Sequence, residues 1–563
     1  MNLNEIVSNA FLSAFPECDA SAIRVVPATD VKFGDYQCND ALKMAKACRM
    51  NPRMIATKVA EVLSGNSVFE KVEVAGPGFL NLTVSTSWLE ARLDEIAASP
   101  HLGLSRLGEG KKVVIDYSSP NAAKQMHIGH IRSTVIGCAI DRIYRALGYD
   151  VIADNHLGDW GTQFGILIKG YRECLSDEER TNLTVADLEK CYVLSAAKAK
   201  EEDGVWKEQC RAELVKLQQG DAENLALWKR FIDISIGEFE RMYKKLGVQF
   251  DTYRGESYYN STMPGIVDRL EKMGLAEESE GALVVKLDSE NLGVAIVRKS
   301  DGGYNYTTSD LACVETRVKD YNPERIIYVT DDRQQLHFKQ FFSIARKMGY
   351  DVQLVHVPFG LMSYQGKAIS TREGNLIKLD DLLSEAVRRS LAIVRSRKQP
   401  DECNDAEDTR LAEQIGIGAV KYADLSHDPG TAIDFNWDKA LALEGNSGPY
   451  LQYAFARVCS LLEKAGVSPN GAFKIQSAAE KRLALQLLEF PGAVLRAAEL
   501  YKPSILADYL FQSAQLYSSF YQNSPILKSE DDVRNARLNL CDLFGKILSK
   551  GLFLLGIETP RHI

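Results

Sequence analysis

At 563 residues, with 45% apolar and 25% charged residues and a formal net charge of −9, the chain is too long for one core and too acidic for a basic protein that coats nucleic acid. Phosphate contact depends on local basic patches, so an RNA-binding enzyme that selects its partner stays open. No stretch approaches the roughly 18 to 20 apolar residues that span a bilayer, and the opening Met1-Asn-Leu-Asn-Glu-Ile lacks the basic-then-apolar pattern of a secretion signal, which predicts a cytoplasmic protein with no membrane partner.

In chain order, residues 1–108 predict a small α+β domain. Asn51-Pro52 opens a helix there, because proline fits a first helical turn, and Val72–Val84 reads as two strands around a Gly-Pro-Gly turn. From Lys112 the pattern changes to strand, helix, strand. Val113–Asp116 is followed by a helix with Ile131, Val135, Ala139, Ile143 and Leu147 on one face and Gly148 at its end, then by Asp150–Asp154. Parallel strands joined by a helical crossover predict an α/β domain over 109–437, a Rossmann-type doubly wound sheet with its ligand beyond the strand carboxyl ends. A charge-rich helical insertion occupies about 172–248, and the sheet resumes with Arg325–Thr330, a helix through Met348, and Val352–Val357. Over 438–563 only amphipathic helices follow, among them Ala478–Phe490, broken at Pro491, and Ile505–Tyr521, which predicts an all-α bundle.

The most informative stretch is Tyr117-Ser-Ser-Pro-Asn-Ala-Ala-Lys-Gln-Met-His-Ile-Gly-His130, between the first strand and first helix of the sheet. Backbone N–H groups and the positive helix end attract phosphates at such a junction. Gly129 admits a flat adenine or ribose close to the main chain, while His127 and His130 can donate to a polyphosphate as its charge grows. An isolated His-x-Gly-His also suits a simple helix cap.

Other blocks gather around it. Asn155–Gly165, with three glycines, an acid, Trp160 and two amides, suits a ligand-lining loop, or turns with Trp160 in the core. Tyr253-Arg-Gly-Glu-Ser257 and Tyr304–Asp310 each place a carboxylate beside tyrosines, fit for a planar cation or for the surface. Met362–Asn375 could close over a polyphosphate with Lys367, Ser370, Thr371 and Arg372, or be an ordinary loop. The helix after Glu444-Gly-Asn displays Tyr450, Gln452, Tyr453 and Arg457, which suits stacking of unpaired bases or, as a stripe, the core. Eleven scattered cysteines without Cys-x-x-Cys, and only His127 and His130 close together among eight histidines, argue against a metal site or a disulfide framework. Any divalent ion would arrive with a nucleotide.

With these blocks in this order the chain resembles the class I arginyl-tRNA synthetases over its full length. The resemblance rests on Ser118-Ser-Pro-Asn-x-x-Lys-x-x-His-x-Gly-His130, Gly158-Asp-Trp-Gly-Thr-Gln163, Tyr306-x-x-x-Asp310 and Glu444-Gly-Asn-x-Gly-Pro-Tyr-Leu-Gln-Tyr453. It implies a ligase that joins L-arginine to ATP, as arginyl-adenylate and pyrophosphate, and passes the arginyl group to the 3′-terminal adenosine of its tRNA. Magnesium would come with ATP, and the enzyme would act as a monomer. By position, Asn121 and His127 would hold the amino-acid backbone and the α-phosphate, with His130 on the ATP side. Glu256 and Asp310 would clamp the guanidinium, Tyr306 would pack on it, and Gln334 would line the same pocket. Phe79 and Asn81 would recognise a D-loop base, and Tyr450 and Tyr453 would lie in the anticodon-binding region.

One departure matters. The family's Lys-Met-Ser-Lys-Ser signature reads Ala368-Ile-Ser-Thr-Arg372 here, without either lysine. The pyrophosphate then needs another cation. Lys124 is the family's usual substitute, with Lys367 or Arg372 assisting. The rival readings are a cysteinyl enzyme, whose zinc cluster is missing from the sequence, a nucleotidyltransferase, which would not need the terminal domains, and a catalytically weak RNA-binding paralogue, suggested by Ala368 alone.

Overall fold

Four parallel strands, β1 (Lys112–Asp116), β2 (Asp150–Asp154), β3 (Arg325–Asp331) and β4 (Gln353–Phe359), form a sheet in the order β4-β3-β1-β2. The computed structural model describes residues 3–17, 19, 23–200, 204–364, 367–368, 377–466, 469 and 471–563, with Val31, Lys367, Ala368 and Pro400 described in their backbone only. Helices α1 (Ile128–Ala146), α2 (Tyr306–Tyr321) and α3 (Gln335–Lys347) pack around the sheet. Val113, Val114 and Ile115 are fully buried, as a central parallel strand requires. The chain leaves β1 for β2 on one side and comes back to β3 on the other. The switch point between β1 and β3 opens a crevice at their carboxyl ends.

Helix α1 is buried on most of its circumference, including all five residues of the expected apolar face. Gly137 allows this depth, because a Cβ there would stand 2.3 Å from the Tyr117 side chain. Two buried arginines fasten the crevice. Arg317 of α2 pairs with Asp116 at 2.7 Å and Asp154 at 2.6 Å, the last residues of β1 and β2. Arg132 of α1 pairs with Asp424 at 3.2 Å and donates to the carbonyls of Gly360 at 2.6 Å and Thr431 at 2.8 Å. Charges so deep are tolerated only when paired and hydrogen-bonded.

The insertion is helical, as expected, and reaches back to Thr162 with a core that includes Phe164, Ile168, Leu188, Leu217 and Phe231. A three-stranded antiparallel sheet then follows that the sequence did not announce, formed by Glu277–Ser279, Ala282–Lys286 and Val294–Arg298. It shares a core with helix Met263–Lys272 and α2 through Ile266, Leu270, Leu283, Val285 and Leu311. Its strands are too short for an alternating pattern to stand out.

By internal contacts the chain divides into two compact units. One comprises Leu104–Ser460, Gly492–Phe511 and Leu548–Ile563 and holds the parallel sheet. Its last segment is tied in by backbone carbonyls. Arg142 Nη1 donates to Phe553 O at 2.8 Å and Gln452 Nε2 to Glu558 O at 2.8 Å, while Lys421 Nζ donates to Gly556 O at 2.6 Å and to Leu246 O. Burial lowers the Lys421 pKa to about 8.

The other unit comprises Met1–Gly103, Leu461–Pro491 and Gln512–Ile547. Its antiparallel sheet runs Val26–Pro27, Tyr36–Cys38, Phe79–Val84, Phe69–Ala75 in spatial order, with the predicted hairpin around Gly76-Pro77-Gly78. Val7, Phe11, Ile55, Val59, Leu80 and Leu82 form its core. Helix Ala478–Leu488 belongs to this unit, where Lys481 pairs with Asp35 at 2.9 Å. Pro491 lies just inside the next helix, Phe490–Glu499, so the expected break is present. After residue 437 the described residues are helical or irregular.

Candidate active site

The segment between β1 and α1 is strained and heavily braced. Ser118, Ser119 and Ala123 have φ of 70°, 46° and 63°, a left-handed region that costs a residue with a Cβ on the order of 1–3 kcal/mol. Side chains from several elements hold them there. Ser118 N donates to Ser133 Oγ at 2.8 Å, Ser119 N to Asn155 Oδ1 at 3.1 Å, and Ala123 N to Ser235 Oγ at 2.9 Å. These bonds tie the strained segment to α1, to the turn after β2 and to the helical insertion.

His127 and His130 cap α1 reciprocally. Gly129 N donates to His127 Nδ1 at 3.1 Å, and His127 N donates to His130 Nδ1 at 3.0 Å. Because each Nδ1 accepts, each proton sits on Nε2, and two Nε2–H donors remain at the positive end of the helix. The rings lie 3.8 Å apart between centroids. Burial, with the Lys124 charge, lowers His127 to a pKa of about 4, and burial with the neighbouring His127 lowers His130 to about 3. Both imidazoles are neutral donors at pH 7. Gly129 is exposed beside them.

The segment that follows Met362–Asn375 returns against this helix start. Ile128 N donates to Ile377 O at 3.1 Å, Leu379 N donates to Met126 O at 2.9 Å, and Lys378 forms an antiparallel bridge with His127. Ser370 and Arg372 lie outside the described residues. Lys367 pairs through its backbone with Tyr364. Lys124 is exposed, with Nζ 5.0 Å from the Tyr192 ring centroid. Asn121 is exposed and bridges Gly158, where a Cβ would meet Asn121 Oδ1 at 2.0 Å.

A second cluster carries the negative charge. Asp159 is buried and accepts from Ser257 N at 2.8 Å and Ser257 Oγ at 2.6 Å, which fixes the turn that presents Glu256. The Glu256 carboxyl is pushed up to about 7, chiefly by burial and further by the charges of Asp159 and Asp310, with His156 opposing. Glu256 and Asp310 are thus within electrostatic reach of one another. Asp310, on the second turn of α2, accepts from His337 Nε2 at 2.5 Å. Tyr306 opens α2 with 68% of its surface exposed, and Gln334 stands exposed just before α3.

Sequence reasoning missed Lys378 and His337, and it counted Asp159 in a ligand-lining loop without foreseeing its bonds to Ser257. His337 could have been suspected from its place three residues after Gln334. Trp160 is half-buried, packs against the insertion core and meets Trp228 edge to face at 5.8 Å. Gln452 departs from the surface role expected of it. It is fully buried, and its amide donates to the carbonyls of Gln414 at 2.9 Å and Glu558, so it cannot stack on a base. Tyr450 is half-buried and packs edge to face on Phe511, and Arg457 lies over the ring of Tyr453, 5.0 Å from its centroid. In the other unit, Phe79 is half-buried at the tip of the hairpin, and the buried Asn81 accepts from Gln37 Nε2 at 2.7 Å. Among the described residues no helix is long and apolar enough to cross a membrane, and no group of three His, Cys, Asp or Glu is placed to hold a metal.

Comparison with known proteins gives a consistent result. The family model for tRNA synthetases class I (R), catalytic domain, matches residues 93–437. The arginyl tRNA synthetase N terminal domain matches 1–84, and the DALR anticodon binding domain matches 451–563. The chain is 44% identical over 561 residues to an arginine–tRNA ligase of Fusobacterium nucleatum, covering 99% of this chain and 98% of that one. It is 43% identical over 582 residues to that of Edwardsiella ictaluri, covering 100% of both. The crystal structure of arginyl-tRNA synthetase from Plasmodium falciparum superposes with a TM-score of 0.87 at 27% identity, covering 100% of this chain and 98% of that one.

Proposed function

The chain belongs to the class I arginyl-tRNA synthetases and is an ATP-dependent arginine–tRNA ligase, and on that premise we propose how its own residues divide the reaction. Arginine is first joined to ATP as arginyl-adenylate with release of pyrophosphate. The arginyl group then passes to the 3′-terminal adenosine of tRNA. In the first step the arginine carboxylate attacks the α-phosphate, and charge grows on that phosphate and on the leaving pyrophosphate. Preorganised donors are what such a transition state needs.

The observation that carries this reading is the reciprocal capping of His127 and His130, which leaves two neutral Nε2–H donors at a helix N-terminus. His127 donates to the α-phosphate and His130 to the ATP side, over the exposed backbone of Gly129. Lys124 supplies the cation for pyrophosphate that the Ala368-Ile-Ser-Thr-Arg372 segment does not provide at the usual lysine positions. Lys367, Ser370 and Arg372 assist from the closing loop. Magnesium enters with ATP as part of the substrate.

Asn121 holds the amino-acid backbone beside Gly158. Glu256 and Asp310 receive the guanidinium, Tyr306 packs on its face, and Gln334 closes the side. Two carboxylates converging on one site repel each other, and that repulsion adds to the burial that chiefly raises the Glu256 pKa. A guanidinium relieves that repulsion, and an uncharged analogue does not. Phe79 and Asn81 contact the tRNA D-loop, while Tyr450, Tyr453 and Arg457 serve the anticodon region. The enzyme works as a monomer in the cytoplasm, where tRNA is charged for protein synthesis.

The test is arginine-dependent ATP–pyrophosphate exchange, with and without tRNA, alongside charging of a tRNA pool with each amino acid. Asp310→Ala is expected to abolish arginine use while ATP binding survives. Unchanged arginine activation in that variant would overturn the pocket assignment.

A further inference from the structure

Asp310 does not meet its pocket with a free carboxylate. One oxygen, Oδ2, is already engaged by Nε2 of His337, from the first turn of α3. The histidine ring is set by the helix behind it. Its centroid lies 5.4 Å from that of Phe341 and 5.8 Å from that of Phe338. Both members of the pair are mostly buried, with 28% of the His337 side chain and 22% of the Asp310 side chain exposed. An imidazole supplies an Nε2–H to this carboxylate in its charged form and in one neutral tautomer.

We propose that His337 is a positioning residue for arginine recognition, holding Asp310 through Oδ2 so that Oδ1 alone faces the guanidinium. The inference rests on the reading of Asp310 as a guanidinium ligand. A carboxylate free to rotate about its last torsion presents either oxygen, or both, to a single cationic centre, and so also accommodates a compact ammonium. With Oδ2 committed, Asp310 offers one acceptor at one edge, and Glu256 must supply the others. A ligand that satisfies both carboxylates must then carry N–H donors spread in a plane, as a guanidinium does. His337 thereby acts on specificity without touching the substrate.

Two variants separate this from simple packing. His337→Phe keeps a ring against Phe341 and removes the donor, whereas His337→Gln places an amide N–H near the position of Nε2. In ATP–pyrophosphate exchange with tRNA present, His337→Phe is expected to raise the KM for arginine roughly ten- to a hundredfold, the range for losing a hydrogen bond to a charged group. The KM for ATP should stay unchanged, and kcat should fall far less than KM rises. His337→Gln should restore the arginine KM to within about threefold of the parent, as a retained donor requires. A folded His337→Phe protein with an unchanged arginine KM would overturn the proposal, and so would equal damage in both variants.

Asp310→Asn serves as the control. If it too leaves the arginine KM unchanged, the reading of Asp310 itself fails. If it raises KM and His337→Phe does not, only the role of His337 fails. Should His337→Phe not fold, ¹⁵N spectra of the parent protein decide the matter: a proton on Nε2 with and without arginine supports the proposal, and an unprotonated Nε2 overturns it.

Discussion

The backbone N–H of His127 donates to Nδ1 of His130, 3.0 Å away, so the second histidine caps the residue that begins its own helix. This contact fixes the tautomer of a catalytic candidate with a main-chain atom. Acceptor and donor duties therefore fall on different nitrogens of one ring, and they can be removed separately.

His130→Asn retains an acceptor near the Nδ1 position and loses the Nε2 donor. The fold should survive with a melting temperature close to the parent's. ATP–pyrophosphate exchange should slow by about a hundredfold or more, as when one preorganised donor to a developing oxyanion is lost. Exchange at the parent rate would remove His130 from the chemistry.

Burial, with the Asp159 and Asp310 charges, pushes the Glu256 carboxyl up to about 7, above its ordinary 4.5. Arginine binds the ionised form, so each pH unit below 7 should raise the arginine KM by roughly tenfold. Above pH 7 the KM should level off. Stability of the arginine-free protein runs the other way: the folded state holds this proton more tightly than the unfolded chain, so this group's contribution declines as pH rises from 4.5 to 7. The check is a pH series of arginine KM for the parent and Glu256→Gln, which should show a high and nearly flat KM.

Gly158→Ala would place a methyl group 2.0 Å from Asn121 Oδ1, and the side chain has to move. A misplaced positioning group costs on the order of a hundredfold. We expect a fall of at least about tenfold in arginine-dependent exchange with the fold intact. Full activity in Gly158→Ala would show that Asn121 need not stand where it does.

Arg317→Leu leaves Asp116 and Asp154 buried without their shared cation. Destabilisation should be about 3–5 kcal/mol at pH 7 and smaller at pH 5, where stranded carboxyls take up protons more readily. Urea denaturation at both pH values reads this directly. An unchanged midpoint at pH 7 would mean that the triad adds nothing net.

The strand, turn and helix start proposed to meet the phosphates were legible in the sequence because they are contiguous. Strand, turn, His127 and His130 fall within one short segment, and their order alone implies a helix N-terminus. The bracing of that segment was not legible. Left-handed backbone is usually announced by glycine or asparagine, whereas here it falls on Ser118, Ser119 and Ala123 and is held by partners as distant in sequence as Ser235. The same holds for Asp310 and His337, whose meeting depends on the packing of α2 against α3. Gln452 misled because helical spacing tells which residues share a face and not what covers that face. Two carbonyls from other segments cover it here. The antiparallel sheet of 277–298 escaped notice because short strands leave only a weak period.

The segment Leu548–Ile563 supplies partners to Arg142, Lys421 and Gln452 inside the unit that holds the parallel sheet. During synthesis, that unit lacks a structural part until residues 548–563 have left the ribosome. The other unit likewise waits for Gln512–Ile547. At about 5–20 residues per second the wait lasts roughly half a minute to two minutes. Apolar surface that domain-by-domain folding would hide early stays open meanwhile. Loss of residues 548–563 would take hydrogen-bond partners away from Arg142, Lys421 and Gln452 in the unit that holds the parallel sheet.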